Sequence, residues 1–279
     1  LLSVAGRHKL HLTDITIGIV GVGYVGSKVE RICKAMGMNV LLNDPPRERE
    51  EGPDGFVSLE RIRNEANVIT LHVPLQLSGK DKTFHLADEE FFTGLARNPI
   101  LINSSRGEVV DGNALKDAIA SGWVRAAVMD VWEGEPDPDL ELMYMVDLAT
   151  PHIAGYSVDG KANATGMSVQ ALSRFFGLGL DDWQPDKLPP PRIDNFVIDG
   201  SKFDLQDLLM VIARKAYDVL RDDDVLRKNP GRFEYLRVSY PVRREPVAIK
   251  VNIINDYIGA GPVLKQLGYH ARTDHYVKL

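Results

Sequence analysis

The chain has 279 residues, 44% of them hydrophobic and 26% charged, an ordinary globular balance with length for two packed units. Its apolar runs are strand-sized, which argues against a transmembrane helix. Its single cysteine, Cys33, excludes a disulfide framework and a cysteine-built zinc site, and no metal is expected. The net charge of −6 argues against a dedicated nucleic-acid binder.

The opening segment, LLSVAGRHKLHL, has no charged region ahead of a long apolar core, so it does not read as a secretory signal, and a cytoplasmic setting is expected. It begins at Leu1 instead of Met, which suggests a segment ahead of it. Residues 1–184 carry a net charge of −9 and residues 185–279 one of +3. The proline-rich stretch Gln184-Pro185-Asp186-Lys187-Leu188-Pro189-Pro190-Pro191 cannot be helical and reads as a linker.

In chain order, Ile15–Val20, Met38–Asn43, Val68–Val73, Ile100–Ser104, Val124–Asp130 and Val146–Thr150 read as short strands, rich in Val and Ile and apolar throughout. Between the first two, Val25–Met36 reads as a helix with Val25, Val29, Ile32, Ala35 and Met36 on one face, stopped by Gly37. Ser58 can cap a helix over 59–66, and Asp111 one running to Ser121. Residues 131–145 read as a loop with at most a short helix. This alternation predicts an α/β fold with a doubly wound parallel (Rossmann) sheet over 1–156.

A returning helix from Val158 to Leu178 follows, with Ala162, Met167, Ala171, Leu172 and Phe175 as its apolar positions. The returning helix and linker occupy 157–189, and a small α/β unit occupies 190–279. In that unit Phe196–Ile198 is a strand and Leu205–Leu220 an amphipathic helix with a stripe of Leu205, Leu208, Leu209, Ile212, Ala216 and Leu220. Phe233–Val238 is read as a helix, Val247–Val251 as a strand, Ala260–Leu267 as a helix and Tyr269–Ala271 as a closing strand. A unit this small on a proline linker buries little surface alone, so it is read as a homodimerisation domain. Arg243-Arg244 reads as a solvated pair.

Gly21-Val22-Gly23-Tyr24-Val25-Gly26 matches G-x-G-x-x-G, and it follows an apolar strand and opens a helix, the context the motif needs. Gly21 permits the tight turn, Gly23 lets a pyrophosphate approach the backbone, and Gly26 lets the helix pack on the strand. The helix start, with Tyr24 and Val25, offers N–H groups and partial positive charge to the anion. Asp44 ends the second strand, where an acid accepts hydrogen bonds from the adenosine ribose and repels a 2′-phosphate, so NAD is favoured over NADP despite nearby Arg47 and Arg49.

Three further features end later strands: Asn103-Ser104-Ser105-Arg106-Gly107, Asp130-Val131-Trp132-Glu133-Gly134-Glu135-Pro136, and Thr150-Pro151-His152. Taken singly, such an arginine is a surface charge, such a histidine a loop residue and such an acidic run a solvated loop. Ordered on one sheet, they offer an arginine for a substrate carboxylate and a carboxylate–imidazole acid/base.

The set GVGYVG, ND, NSSRGEVVD, AAVMDVWEGEP and TPHIAG resembles the D-isomer-specific 2-hydroxyacid dehydrogenases, over roughly residues 12–180. The resemblance implies that Arg106 grips the substrate carboxylate, that His152 is the acid/base and that Glu135 pairs with it. It also implies that Asp130 holds the nicotinamide carboxamide, that Ser104, Ser105 and Gly155 lie along the cofactor, and that Glu133 is solvated. Val73 stands where some relatives have a Thr near the nicotinamide ribose. The segments Asp44-Pro45-Pro46-Arg47, Gly155-Tyr156-Ser157, 217–223 and 264–269 narrow the resemblance to a branch that oxidises 4-phospho-D-erythronate, a phosphorylated 2-hydroxy acid, in pyridoxal 5′-phosphate biosynthesis. Tyr156 is there a substrate contact, or alternatively an aromatic cap on the following helix. In the family a substrate lobe precedes the NAD domain. Another D-2-hydroxyacid dehydrogenase, such as one for 3-phosphoglycerate, and an NAD-sensing binding protein on the same core are the alternatives.

Overall fold

The computed structural model describes residues 1–274. In chain order the first elements are α1 (Leu2–Arg7), β1 (Thr16–Val20), α2 (Tyr24–Ala35), β2 (Asn39–Asn43), α3 (Pro45–Glu51), α4 (Leu59–Glu65) and β3 (Val68–Leu71). Then follow α5 (Glu89–Thr93), β4 (Ile100–Asn103), α6 (Gly112–Ala120), β5 (Ala126–Met129), α7 (Leu140–Met145) and β6 (Leu148–Ala149). The remainder runs α8 (Val158–Phe176), β7 (Asn195–Asp199), α9 (Leu205–Ala216), α10 (Val219–Lys228), α11 (Phe233–Val238), β8 (Lys250–Ile254), α12 (Ala260–Gln266) and β9 (His270–Asp274). These elements form two compact units, one of Leu1–His152 together with Val219–Val238, the other of Ile153–Asp218 and the chain from Ser239 onward.

The first unit is a parallel sheet in the order β2-β1-β3-β4-β5-β6. The strands are buried because both faces are covered, as their unbroken apolar runs require; every residue of β3 is buried. The chain winds one way from β1 to β2 and the other way from β3 onward, which makes the end of β1 and β3 a topological switch point. Helix starts follow the capping signals: Ser58 accepts the Arg61 N–H, Asp111 those of Asn113 and Ala114, and Asp139 those of Glu141 and Leu142. Each cap contributes on the order of 1 kcal/mol.

Helix α2 departs from its expected apolar face at Val25, which is 58% exposed; Val29, Ile32 and Ala35 are half-buried and Met36, just past the helix, is buried, as expected, while Gly26 and Cys33 are its own buried positions. A Cβ on Gly26 would lie 2.0 Å from the Gly21 carbonyl oxygen, so this bare backbone is what faces the strand and Val25 is rotated outward. Burial raises the Cys33 thiol to about 11, which keeps it protonated and unreactive.

The segment 219–238 was expected in the C-terminal unit and instead belongs to the first. Leu226 and Phe233 are buried in the first unit's core cluster, and α10 packs on β6. Arg227 donates to the carbonyls of Met143 at 2.5 Å and Val146 at 2.9 Å, while Asp223 accepts the Ala149 N–H at 2.7 Å. The edge of β6 is therefore covered.

In the second unit β7, β8 and β9 form a parallel sheet in that order. Ile198, Val251, Ile253 and Ala271 are buried with Leu208, Leu209 and Ile212 of α9 and Leu264 of α12. Helix α9 ends at Ala216 because Tyr217 is extended, so the expected stripe stops before Leu220, which lies in α10. The strand expected at Val247 begins at Lys250, since Pro246 opens a 3-10 turn and proline cannot donate to a ladder. Helix α8 also departs from expectation: Met167, Leu172 and Phe175 are exposed, and Asp159, Ala162, Gly166 and Ser173 are its buried positions. Small residues face inward because the chain after Gly177 folds back on them, with the Ser173 hydroxyl donating to Asp181 at 2.6 Å and accepting the Leu180 N–H at 2.7 Å.

Arg243 and Arg244 are not a solvated pair. Arg244 forms a two-bond fork with Asp159, at 2.8 and 2.9 Å, and Asp159 also accepts the Glu245 N–H. Arg243 donates to the carbonyls of Ile153 and Ala154 and lies over the rings of Tyr217 and Tyr240. Burial opposes the charge on Asp159, but the guanidinium and the N–H outweigh it and hold its carboxyl below the usual range. Asp159→Asn is expected to cost roughly 1–3 kcal/mol, because it leaves a partly buried guanidinium without its counter-charge; a lowered thermal midpoint in a melting scan checks this.

Candidate active site

The glycine loop turns at the end of β1. Gly21 has φ +90°, and a Cβ there would meet the His72 carbonyl carbon at 2.7 Å. Gly23 has open space around it and precedes α2 with no side chain capping the helix, so the first N–H groups are free to meet an anion. Tyr24 and Val25 at this helix start are exposed.

Asp44 is shared between two tasks. One oxygen accepts the Val22 N–H at 2.7 Å and the other caps α3 through Arg47 N–H at 3.1 Å, which leaves lone pairs on both for a ribose. Asp44 lines a cavity of about 450 Å³ together with Gly21, Pro45, Val73 and Thr83. The two arginines that could have welcomed a 2′-phosphate are engaged. Arg47 pairs with Glu51 and donates to the Val22 carbonyl, and Arg49 pairs with Asp81. The loop, the acid and the cavity thus fit an unphosphorylated adenosine ribose and pyrophosphate, as in NAD.

The β4 loop is held by its own polar groups. Asn103 Oδ1 accepts from both the N–H and the hydroxyl of Ser105, and Asn103 Nδ2 donates to the Arg106 carbonyl. Ser105 is therefore turned inward and buried, while Ser104 is half-buried. Arg106 is exposed; one of its Nη atoms donates to the Ser105 carbonyl, and no carboxylate among the described residues pairs with it.

The β5 and β6 loops meet next to it. Asp130 is 5% exposed and accepts the Thr150 hydroxyl at 2.7 Å; its carbonyl takes the His152 N–H at 2.7 Å. Glu135 Oε1 accepts the Trp132 N–H at 2.9 Å, and Oε2 pairs with His152 Nδ1 at 2.7 Å. The carboxylate holds the imidazole proton on Nδ1, which leaves Nε2 as the basic nitrogen. His152 sits at φ +55°, an unusual backbone for a side chain of this kind.

Glu133 corrects the expectation of a solvated side chain. It pairs with His85 Nε2 at 2.6 Å and accepts the Gly112 N–H at 3.0 Å, so it braces the start of α6. Gly155 and Tyr156 lie in the second unit. Tyr156 packs edge-on to Tyr240, with Lys161 Nζ 4.1 Å from its ring centre.

Residues 4–154 match the family model described as D-isomer specific 2-hydroxyacid dehydrogenase, NAD binding domain. The chain belongs to the D-isomer-specific 2-hydroxyacid dehydrogenase family. Residues 187–268 match a model described only as a domain of unknown function (DUF3410), which takes in the segment 219–238. Among curated relatives, an erythronate-4-phosphate dehydrogenase of Bacteroides fragilis is 48% identical over 88% of this chain and 67% of its own. One from Edwardsiella ictaluri is 43% identical over 98% of this chain and 72% of its own. The chain thus spans about two thirds of these relatives' length. Among solved structures, a D-lactate dehydrogenase from Sporolactobacillus sp. aligns with a TM-score of 0.53 at 30% identity, over 68% of this chain and 64% of that one. The D-lactate dehydrogenase of Aquifex aeolicus, complexed with NAD and lactic acid, aligns with a TM-score of 0.51 at 27% identity, over 65% and 62%.

Two residues of the site escaped the sequence reading. Gly107 is one: a Cβ on it would lie 2.0 Å from the Trp132 carbonyl carbon, so only glycine lets the Arg106 loop lie against the Glu135 loop. The signal was present in Arg106-Gly107, yet a glycine after a strand reads as an ordinary turn. Gly107→Ala is expected to cost about 1–3 kcal/mol through this overlap, read as a lowered denaturation midpoint. His72 is the other. Its Nε2 lies 3.0 Å from the Thr70 hydroxyl, and burial lowers its titration from 6.5 to about 4. An unfolded chain takes up that proton first, so stability is expected to fall as pH drops from about 6.5 to about 4. Urea midpoints for the protein and for His72→Gln check it: the variant loses less stability over that window.

Proposed function

We propose that this chain is the cofactor-binding and C-terminal part of an erythronate-4-phosphate dehydrogenase. That enzyme oxidises 4-phospho-D-erythronate to 2-oxo-3-hydroxy-4-phosphobutanoate with NAD, in pyridoxal 5′-phosphate biosynthesis. The observation that carries the reading is the His152–Glu135 pair at 2.7 Å, at the C-terminal edge of an NAD-binding sheet, in a chain 48% identical to an enzyme of that name. NAD, when bound, supplies the acceptor for the hydride from C2.

The chain's own residues do the rest. Arg106, exposed and without a carboxylate partner among the described residues, holds the substrate carboxylate through two parallel hydrogen bonds. His152 Nε2 takes the proton of the 2-hydroxyl, and Glu135 on the opposite nitrogen balances the imidazolium that results. Asp130, which accepts the Thr150 hydroxyl, is the residue that would hold the carboxamide. Gly21, Gly23, Tyr24, Val25, Gly26, Asp44, Val73, Ser104 and Ser105 are the residues assigned to the cofactor in this reading.

Among the described residues no helix is long and apolar enough to cross a membrane. A cytoplasmic homodimer joined through the second unit completes the reading. In support, the sheet of that unit leaves Asn195, Val197, Lys250 and His270 exposed on the face opposite its core.

With the full-length enzyme, His152→Ala is expected to lower turnover by about 10²- to 10⁴-fold while NAD affinity stays near that of the parent. Steady-state kinetics and NADH fluorescence titration measure the two. Equal loss of both would remove His152 from the acid/base role, and a higher kcat/KM for 3-phosphoglycerate than for 4-phospho-D-erythronate would overturn the substrate.

A further inference from the structure

The pair at the centre of the site has a third member that comes from far along the chain. Glu135 has its Oε1 on the Trp132 N–H, and its Oε2 faces an imidazole and a guanidinium. His152 Nδ1 lies at 2.7 Å and Arg237 Nη1 at 3.9 Å from that same oxygen. Arg237 is on α11, eighty-five residues after His152. Its placement is not accidental to the fold. Phe233, one turn earlier on the same helix face, is 1% exposed in the first unit's core, and Leu226 beside it on α10 is fully buried. The Arg227 and Asp223 bonds to α7 and β6 hold the base of this segment.

The β5 loop brings Asp130, Glu133, Glu135, Asp137 and Asp139, the β4 loop Arg106, Glu108 and Asp111, and the β6 loop His152; Asp139 is paired with Lys116 and Asp111 with His85. Glu234, 3.7 Å from Arg237, comes from α11 itself. Asp130 is turned to Thr150, and Glu133 to His85 and Gly112. Glu135 Oε2 lies within 4 Å of both the Arg237 guanidinium and the imidazole. At 3.9 Å the guanidinium acts on Glu135 as a neighbouring charge and not as a close hydrogen-bond donor, so it leaves Oε2 to His152.

We propose that Arg237 is a positioning residue of the catalytic pair. It fixes the Glu135 carboxylate in its ionised, His152-directed orientation, so the segment 219–238 completes the active site from the C-terminal half of the chain. The inference rests on the acid/base reading of His152 above. A guanidinium beside Glu135 also opposes the positive charge that His152 gains in hydroxyl oxidation. Removing it makes the imidazolium easier to form and harder to discharge.

The test uses the full-length enzyme with Arg237→Gln and Arg237→Lys, assayed for NAD-dependent oxidation across pH. Arg237→Gln is expected to lower kcat about 10- to 100-fold with the KM for NAD unchanged, and to move the acid limb of the kcat/KM profile to higher pH. Arg237→Lys, which restores the charge, is expected to recover most of kcat and return the limb toward the parent position. An unchanged kcat and profile in a folded Arg237→Gln would overturn the proposal. So would a Lys variant as impaired as the Gln variant with the limb unmoved, the outcome of a purely structural role. Should Arg237→Gln fail to fold, the Lys variant decides alone: parent-like kcat and limb support the proposal, and a folded variant with lost kcat and an unmoved limb overturns it. A His152→Ala enzyme that keeps its turnover would sink the underlying acid/base reading instead, so the two failures are separable.

Discussion

Every strand of the six-stranded sheet runs the same way, so every loop that leaves a strand's C-terminal end leaves from one edge. That single direction assembles the site. The Gly21 turn, His72, the Arg106 loop, the Glu135 loop and His152 are spread over nearly half of the chain and are brought together because β1, β3, β4, β5 and β6 all point at them. Loops crowded this closely must pass backbone against backbone. Gly26 against Gly21, Gly21 against His72, and Gly107 against Trp132 mark places on this edge where a single added carbon has no room. The chemistry of the edge depends on this packing, since the Arg106 and Glu135 loops can approach only through Gly107.

Much of this was legible from residues alone, and the reasons are local. A glycine loop between a strand and a helix, an acid ending the next strand, and Ser or Asp ahead of a helix each carry their structure in a few neighbouring positions. The parallel, doubly wound character of the sheet follows from the same alternation. What was not legible depended on partners distant in sequence. The face that α2 buries is set by the bare backbone of Gly26, not by Val25. The inward face of α8 is small because a later loop folds back upon Ser173. Glu133 looked like one solvated acid among several, and only the fold brings His85 and Gly112 to it. The Arg243–Arg244 pair read as surface charge because Asp159 stands more than eighty residues away. Arg237 gave no signal at all, since nothing in its own helix refers to residue 135.

Arginine usage shows how the molecule divides structural from reactive charge. Arg47, Arg49, Arg227 and Arg244 each sit against a carboxylate and so add little free positive field. Arg106 differs: its guanidinium is exposed and bonded only to a neighbouring carbonyl among the contacts described. A fork left without a carboxylate beside a histidine–glutamate pair is prepared for an anion from outside. Asp44 shows the complementary economy, because one carboxylate both ties down the glycine loop and caps α3.

The excursion of the chain through α10 and α11 bears on how the protein can be divided. The polypeptide passes from the first unit to the second at 152–153, back at 218–219 and out again at 238–239. The proline-rich stretch at 184–191 therefore looks like a natural place to cut, yet no single cut there frees either unit. A fragment ending at the linker would lose Leu226 and Phe233 from its core and leave the rim of β6 uncovered. The order of the chain threads the two units through each other, so neither unit is one uninterrupted stretch of sequence.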